Sequence, residues 1–267
     1  MPDKKITLTT LRNMKQAGEK FACLTAYDAT FARLLDDAGV EVVLVGDSLG
    51  MVVQGQESTL PVTMDEMIYH THNVSRGCSN SLVLADMSFM SYATPDQAMF
   101  NAGRLMAEGH AHAVKLEGGA VMVETVKQLT AHGIPVCAHL GLLPQSVNKL
   151  GGYRVQGKEA EAANTILQDS MAMQEAGADL LLFECIPSSL AAEITSKVDI
   201  PVIGIGAGVD CDAQVLVLHD MLGITPGKRP KFSKNFMEEA GSIQQAISNY
   251  VKEVKAGTFP GLEHSFS

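Results

Sequence analysis

The feature that most constrains this chain is a repeated unit, a short run of β-branched and other apolar residues that closes on a polar one. It recurs as EVVLVGDS (41 to 48), LVLADM (82 to 87), AVKLEGG (113 to 119), IPVCAHLG (134 to 141), ADLLLFEC (178 to 185) and IPVIGIGAG (200 to 208). A continuous apolar run reads as a strand buried on both faces, the signature of a parallel sheet covered by helices. In such folds, polar side chains at the C-terminal strand ends face the place where ligands bind. One pattern therefore predicts both an α/β architecture and the edge that carries chemistry.

The spacing predicts strands at 21–28, 41–46, 82–86, 112–116, 134–139, 179–184 and 201–205, with VLVLHDMLG (215 to 223) as the eighth. Helical patterns alternate with them. One carries Phe31, Leu34, Leu35 and Ala38 and stops at Gly39; another starts at Thr63, with Glu66 completing a capping box. Further helices span 94–109, 120–132, 158–176 and 188–198, three of them closed by a glycine. Eight strand–helix units without a low-complexity linker predict one domain over 1–267, an α/β (β/α)8 TIM barrel rather than an open sheet. The amphipathic segment Leu11 to Lys20 is expected to plug the barrel floor, and a last helix, Asn235 to Lys255, to pack outside it.

Charge and composition exclude several classes. A formal net charge of -10 with no run of Lys or Arg argues against a nucleic-acid partner, whose phosphates are bound by clustered cations. No stretch approaches the roughly 18 apolar residues of a membrane span. Cys23, Cys78, Cys137, Cys185 and Cys211 are widely spaced, with no C-x-x-C pair, and read as core residues of a reducing, cytoplasmic compartment.

The strand ends supply Asp47, Ser48, Asp86, Lys115, Glu117, His139 and Glu184. Each has a bland reading. An Asp at a strand end can cap the next helix, Lys115 can pair with Glu117, Glu184 can cap the helix at Ser188, and His139 can be a wall residue. Three carboxylates from neighbouring strands, however, repel one another in a half-buried mouth unless a cation neutralises them. Asp47, Asp86 and Glu117 form an all-oxygen set suited to Mg²⁺, whose open positions could take a 2-oxo acid. Lys115 is the fixed positive charge that an anionic substrate needs in an acidic protein. Glu184, closing the apolar run DLLLF, is expected to be desolvated into the range of a general base. His139 could orient the substrate or pass a proton. The 141–158 segment is far longer than the usual 2 to 6 residues of such loops and reads as a lid or a subunit contact. GIGAG (204 to 208) could cradle a phosphate or simply pack tightly.

The strings TAYDATFA (25 to 32), VGDSLGMVVQGQESTLPVTMDEM (45 to 67), ADMSF (85 to 89), VKLEGG (114 to 119), AHLGLLPQSVNKLGGYRVQGK (138 to 158) and FECIP (183 to 187) closely resemble the ketopantoate hydroxymethyltransferase family. The resemblance runs from about residue 5 to 260. It implies a (β/α)8 barrel that moves a one-carbon unit from 5,10-methylenetetrahydrofolate onto 3-methyl-2-oxobutanoate, giving 2-dehydropantoate for pantothenate synthesis through a Mg²⁺-stabilised enolate. It further implies Asp47, Asp86 and Glu117 as ligands of one Mg²⁺ per subunit, and Asp47, Ser48, Asp86 and Lys115 as substrate contacts. Glu184 is implied as the base with His139 in support, and a homo-oligomer, often a decamer, as the assembly. A metal-dependent carbon–carbon lyase of the isocitrate lyase or phosphoenolpyruvate mutase type, and a non-catalytic ligand-binding barrel, are the competing expectations.

Overall fold

Each apolar run has a hidden parity, because successive side chains of a strand point to opposite faces. In the computed structural model, which describes residues 5–267, the parity divides the core in two. Phe21, Cys23, Val42, Leu44, Leu82, Leu84, Ala113, Cys137, Leu180, Leu182, Ile203, Ile205, Ala213 and Val215 form one buried cluster. Their chain neighbours, among them Ala22, Val43, Val83, Val114, Ala138, Leu181 and Val202, belong to a second cluster shared with the helices. The first lies inside a tube and the second between the tube and a helical coat, so both faces of every strand are apolar.

The tube is built from β1 (Phe21–Thr25), β2 (Val42–Val45), β3 (Leu82–Asp86), β4 (Ala113–Glu117), β5 (Val136–Gly141), β6 (Leu180–Glu184), β7 (Val202–Ile205) and β8 (Ala213–Leu216). All neighbours are parallel and the barrel closes in chain order, β8 pairing with β1. This is the expected (β/α)8 barrel. Residues 1–4 of the span assigned to one domain lie outside the described residues.

The floor is closed as expected, but by a helix Leu8–Ala17 that lies three residues earlier than the segment Leu11 to Lys20, because Thr7 caps its start and Gly18 its end. Leu11 is wholly buried among the inward-facing strand residues, which contributes roughly 2 kcal/mol of hydrophobic stabilisation. Arg12 pairs with Asp179 and Lys15 with Asp212 at 2.7 Å, both acids standing just before β6 and β8. At the other side of the coat, the last helix is Ile243–Lys255, shorter than expected because Ser242 caps it afresh after a 3₁₀ turn at Phe236–Glu239. Its Tyr250 hydroxyl bonds the carbonyls of Cys23 and Gln214, tying the helix across the β1–β8 seam.

The eighth strand differs from the expectation. It occupies Ala213–Leu216, and Leu218–Met221 is a helical turn rather than strand. The ladder stops because β1 ends at Thr25, whose hydroxyl takes the Leu218 N–H at 2.9 Å and turns the chain. The early start was masked by Gln214, a polar residue buried by a hydrogen bond to the Gly208 carbonyl. Among the described residues no helix is long and apolar enough to cross a membrane, and the five cysteines are free.

Candidate active site

In β3, β4, β5 and β6 the inward parity is carried past the last inward apolar residue onto a polar one. Leu82 and Leu84 are followed by Asp86, Ala113 by Lys115 and Glu117, Cys137 by His139, and Leu180 and Leu182 by Glu184. Register aligns them, since Asp86 is opposite Lys115, Glu117 opposite His139, and Glu184 opposite Gly141. Asp47 and Ser48 follow β2 after Gly46. All seven sequence-derived residues line one cavity of about 780 Å³ at the C-terminal mouth of the barrel. None of the carboxylates caps a helix. The residues at the N-terminal boundaries of the following helices are Ser48, Thr94, Gly119 and Pro187.

Lys115 sits 2.7 Å from Asp86 Oδ1, so its ion pair is with the neighbouring strand and not with Glu117. The other Asp86 oxygen accepts the Asp47 backbone N–H at 3.1 Å. His139 stands between two acids, with Nδ1 3.3 Å from Glu117 Oε1 and Nε2 3.4 Å from Glu184 Oε2. Lys115 Nζ lies 3.5 Å from the same Nδ1. If Nδ1 accepts from the lysine, the single N–H of a neutral imidazole sits on Nε2, on the side of Glu184. The Ser48 hydroxyl meets the Tyr27 hydroxyl at 2.9 Å.

The electrostatics are those of an overloaded site. Five carboxylates line the cavity, Asp47, Asp86, Glu117 and Glu184 near one central ammonium, Lys115, and Asp220 on the β8 side, with the rim cations Arg154, Lys228 and Lys231. Burial and then the charge of Asp86 push Asp47 well above the usual carboxylate range. Burial drives Glu117 up to about 7, against the lowering influence of Lys115. Burial alone would pull Lys115 down, but Asp86, Glu117 and Asp47 reverse it, and the ammonium is held. Burial and the Lys115 charge push His139 below its ordinary value, leaving it neutral near pH 7. Glu184 is less enclosed than its apolar strand suggests, because its side chain keeps 16% exposure at the open end of the barrel.

Asp47, Asp86 and Glu117 are the residues that could hold a cation, and their chemistry fits a hard divalent ion, which would remove the need to store protons on buried acids. They are not drawn together around a common point: among the described residues no three His, Cys, Asp or Glu side chains are grouped closely enough to hold a metal. Each is engaged by a donor of its own, Asp86 by Lys115 and the other two by Gln145.

Gln145 is the residue that strand-end reasoning missed. It belongs to the long segment after β5, which folds as a 3₁₀ turn (Pro144–Ser146) and a short helix (Val147–Leu150) and walls the cavity with Leu142, Pro144, Tyr153, Arg154 and Val155. The Gln145 side chain is buried. Its amide donates to Asp47 Oδ2 and to the Met87 carbonyl, each at 2.9 Å, and accepts from the Tyr92 hydroxyl. Its backbone N–H reaches Glu117 Oε2 at 3.1 Å. The only sequence signal was the length of the loop.

Other candidates serve the scaffold. His112 accepts the Val83 N–H through Nδ1, and His70 meets the Tyr27 carbonyl at 2.7 Å. In GIGAG, a Cβ on Gly208 would stand 2.5 Å from that of Ser188, and one on Gly206 would meet Phe266 at 2.9 Å. Close packing accounts for those glycines.

The model of the family described as ketopantoate hydroxymethyltransferase matches residues 5–262. A 3-methyl-2-oxobutanoate hydroxymethyltransferase of Nitrosococcus oceani is 63% identical over 262 residues, covering 98% of this chain and 99% of that one. One from Erwinia tasmaniensis is 58% identical over 263 residues, covering 98% and 99%. Among solved structures, a phosphonopyruvate hydrolase complexed with oxalate and Mg²⁺ is similar at a TM-score of 0.63 and 14% identity, covering 96% of this chain and 92% of that one. A phosphoenolpyruvate phosphomutase from Streptomyces platensis is similar at 0.61 and 16%, covering 81% and 82%. At such identities these two likenesses speak for the barrel fold alone.

Proposed function

This chain belongs to the ketopantoate hydroxymethyltransferase family, and on that premise we propose that it transfers the one-carbon unit of 5,10-methylenetetrahydrofolate to C3 of 3-methyl-2-oxobutanoate, releasing 2-dehydropantoate. The observation that carries the reading is the overloaded mouth of the barrel, where buried acids surround one fixed ammonium beneath a cavity of about 780 Å³. Asp47, Asp86 and Glu117 would hold Mg²⁺. When bound, that ion supplies Lewis acidity toward a 2-oxo acid and makes the adjoining C–H easier to ionise.

The chain's own groups divide the remaining work. Lys115, kept charged by its three acidic neighbours, attracts the substrate carboxylate and offsets negative charge as it develops on the keto oxygen. Glu184 is the base that takes the C3 proton. It stands at the open end of β6, without an ion pair to lysine or arginine among the described residues, and is the least enclosed of the four clustered carboxylates. His139 Nε2 stands 3.4 Å from Glu184, buried with no hydrogen-bond partner, so the N–H of a neutral imidazole is available to position the base rather than compete with it. Ser48, fixed by Tyr27, is a hydrogen-bond partner for the substrate carboxylate. The segment carrying Gln145 and Tyr153 excludes water from the carbanion equivalent until the one-carbon donor arrives.

The test separates proton removal from transfer. Enzyme with Mg²⁺ and 3-methyl-2-oxobutanoate in heavy water should exchange the C3 proton without folate, as followed by proton NMR. Glu184→Gln should slow exchange by about 10²- to 10⁴-fold while the oxo acid still binds. Product should form only with methylenetetrahydrofolate. Equal product without folate would sink the assignment, and exchange at the original rate in Glu184→Gln would remove Glu184 as the base.

A further inference from the structure

The wall of the cavity that faces β4 across the barrel is made by β8 and the turn that follows, and the reaction scheme leaves it without a task. One charged residue stands in it. Asp220, in the turn Leu218–Met221, is 7% exposed and lines the cavity. Its surroundings give it little. Arg229 is committed to Glu238 at 3.4 Å, and the His219 ring turns to Tyr27, centroid to centroid 5.5 Å. The Thr225 hydroxyl beside it, with His219 and Arg229 further off, favours its charged form, but less than burial opposes it. Burial accordingly holds the Asp220 carboxyl above the usual range.

Among the described residues no ion pair is made to this carboxylate, so its oxygens, turned to the cavity, are open to a ligand that brings donors. The ligand cannot be the oxo acid, because an acceptor-only group repels another anion. It must present hydrogen-bond donors, and two adjacent N–H groups would match both oxygens. The cavity lining adds a second requirement, since Val215, Val217 and Phe232 give apolar and aromatic surface suited to a flat ring, while the Phe266 ring carries Lys231 over it at 4.9 Å. We propose that Asp220 reads the pterin ring of the one-carbon carrier, its two oxygens accepting the 2-amino group and the neighbouring ring N–H as a carboxylate accepts the fork of a guanidinium. This inference rests on the folate-donor reading given above. It also orients the carrier, with the pterin against β8 and the anionic tail toward exposed Lys228 on the following segment.

The experiment compares methylenetetrahydrofolate with its 2-desamino analogue in the full-length enzyme with Mg²⁺ and 3-methyl-2-oxobutanoate. For the unmodified enzyme, kcat/KM should fall by about 10- to 100-fold when the amino group is removed, the range of a hydrogen bond to a charged partner. In Asp220→Ala the analogue and the natural carrier should differ by less than about 3-fold, because the group that reads the difference is gone. A packing role for Asp220 would leave the discrimination intact. Equal use of the two carriers by the unmodified enzyme overturns the proposal, even if the variant does not fold, and so does an undiminished penalty in Asp220→Ala. If the unmodified enzyme makes no product from the natural carrier, the donor reading falls and this inference with it. Product without discrimination removes the Asp220 assignment alone.

Discussion

Replacing Gln145 with leucine tests whether one buried amide latches the long segment over the mouth. The substitution keeps a side chain of similar size and deletes two donors and one acceptor. Asp47 Oδ2 and the Met87 carbonyl each lose a 2.9 Å bond, and the Tyr92 hydroxyl loses its acceptor, while the backbone bond to Glu117 remains. A neutral hydrogen bond contributes about 1 kcal/mol and one to a carboxylate about 1.5 to 3, which sums to roughly 4 kcal/mol for the closed segment. Opening rehydrates the orphaned groups, so the loss falls on local closure rather than on global unfolding. Amide exchange across 142–152, read by mass spectrometry, should therefore accelerate by about 10² to 10³ with little change in Tm. Loss of the amide also removes a bond that favours the charged form of Asp47, so more Mg²⁺ should be needed for half-maximal exchange of the substrate proton. Unaltered amide exchange in the segment would show that it is held by other contacts and would refute the latch.

Two further outcomes follow from the same geometry. Glu117 has a folded-state value near 7 against an ordinary 4.5, so above pH 4.5 the folded protein holds a proton that the unfolded chain has released. Its contribution to stability is thus full at low pH and is lost as pH rises from 4.5 to 7, by about 3 kcal/mol. In chelator, Tm of the unmodified protein should fall over that window more steeply than Tm of Glu117→Gln; parallel profiles would contradict the assignment. Gly141 has φ +93°, and a Cβ there would lie 2.4 Å from the Glu184 carbonyl and 2.8 Å from Ile186. Gly141→Ala should cost about 2 to 4 kcal/mol by urea unfolding and slow C3-proton exchange by displacing the base, and a variant matching the original in both measurements would disprove the constraint.

The parts legible in the sequence are those whose signal is local. The apolar runs of β2 through β7 and the glycines that stop helices are fixed by near neighbours along the chain, and the site residues follow because inward parity continues onto Asp86, Lys115, His139 and Glu184. What escaped depends on partners remote in sequence. Gln145 matters through Asp47, 98 residues away, and nothing in GLLPQSVN marks it. The boundary of β8 depends on Thr25, 193 residues from Leu218, and reading Leu218–Met221 as strand hid Asp220 in what looked like core. The pairing of Lys115 is likewise a matter of register: spacing suggests Glu117, two residues along the same strand, whereas the ladder sets Asp86 directly opposite.

That register has a mechanical meaning. Asp86, Lys115, Glu117 and Glu184 are mounted on β3, β4 and β6, whose separations are set by backbone ladders closing on themselves. On a flexible loop, like charges would drift apart until their repulsion faded. On a closed barrel they cannot, because moving one strand end means breaking hydrogen bonds around the ring. The repulsion is thus kept as a standing load that the sheet bears until a proton or an arriving counter-charge relieves it, which turns the stiffness of the fold into affinity for a cation.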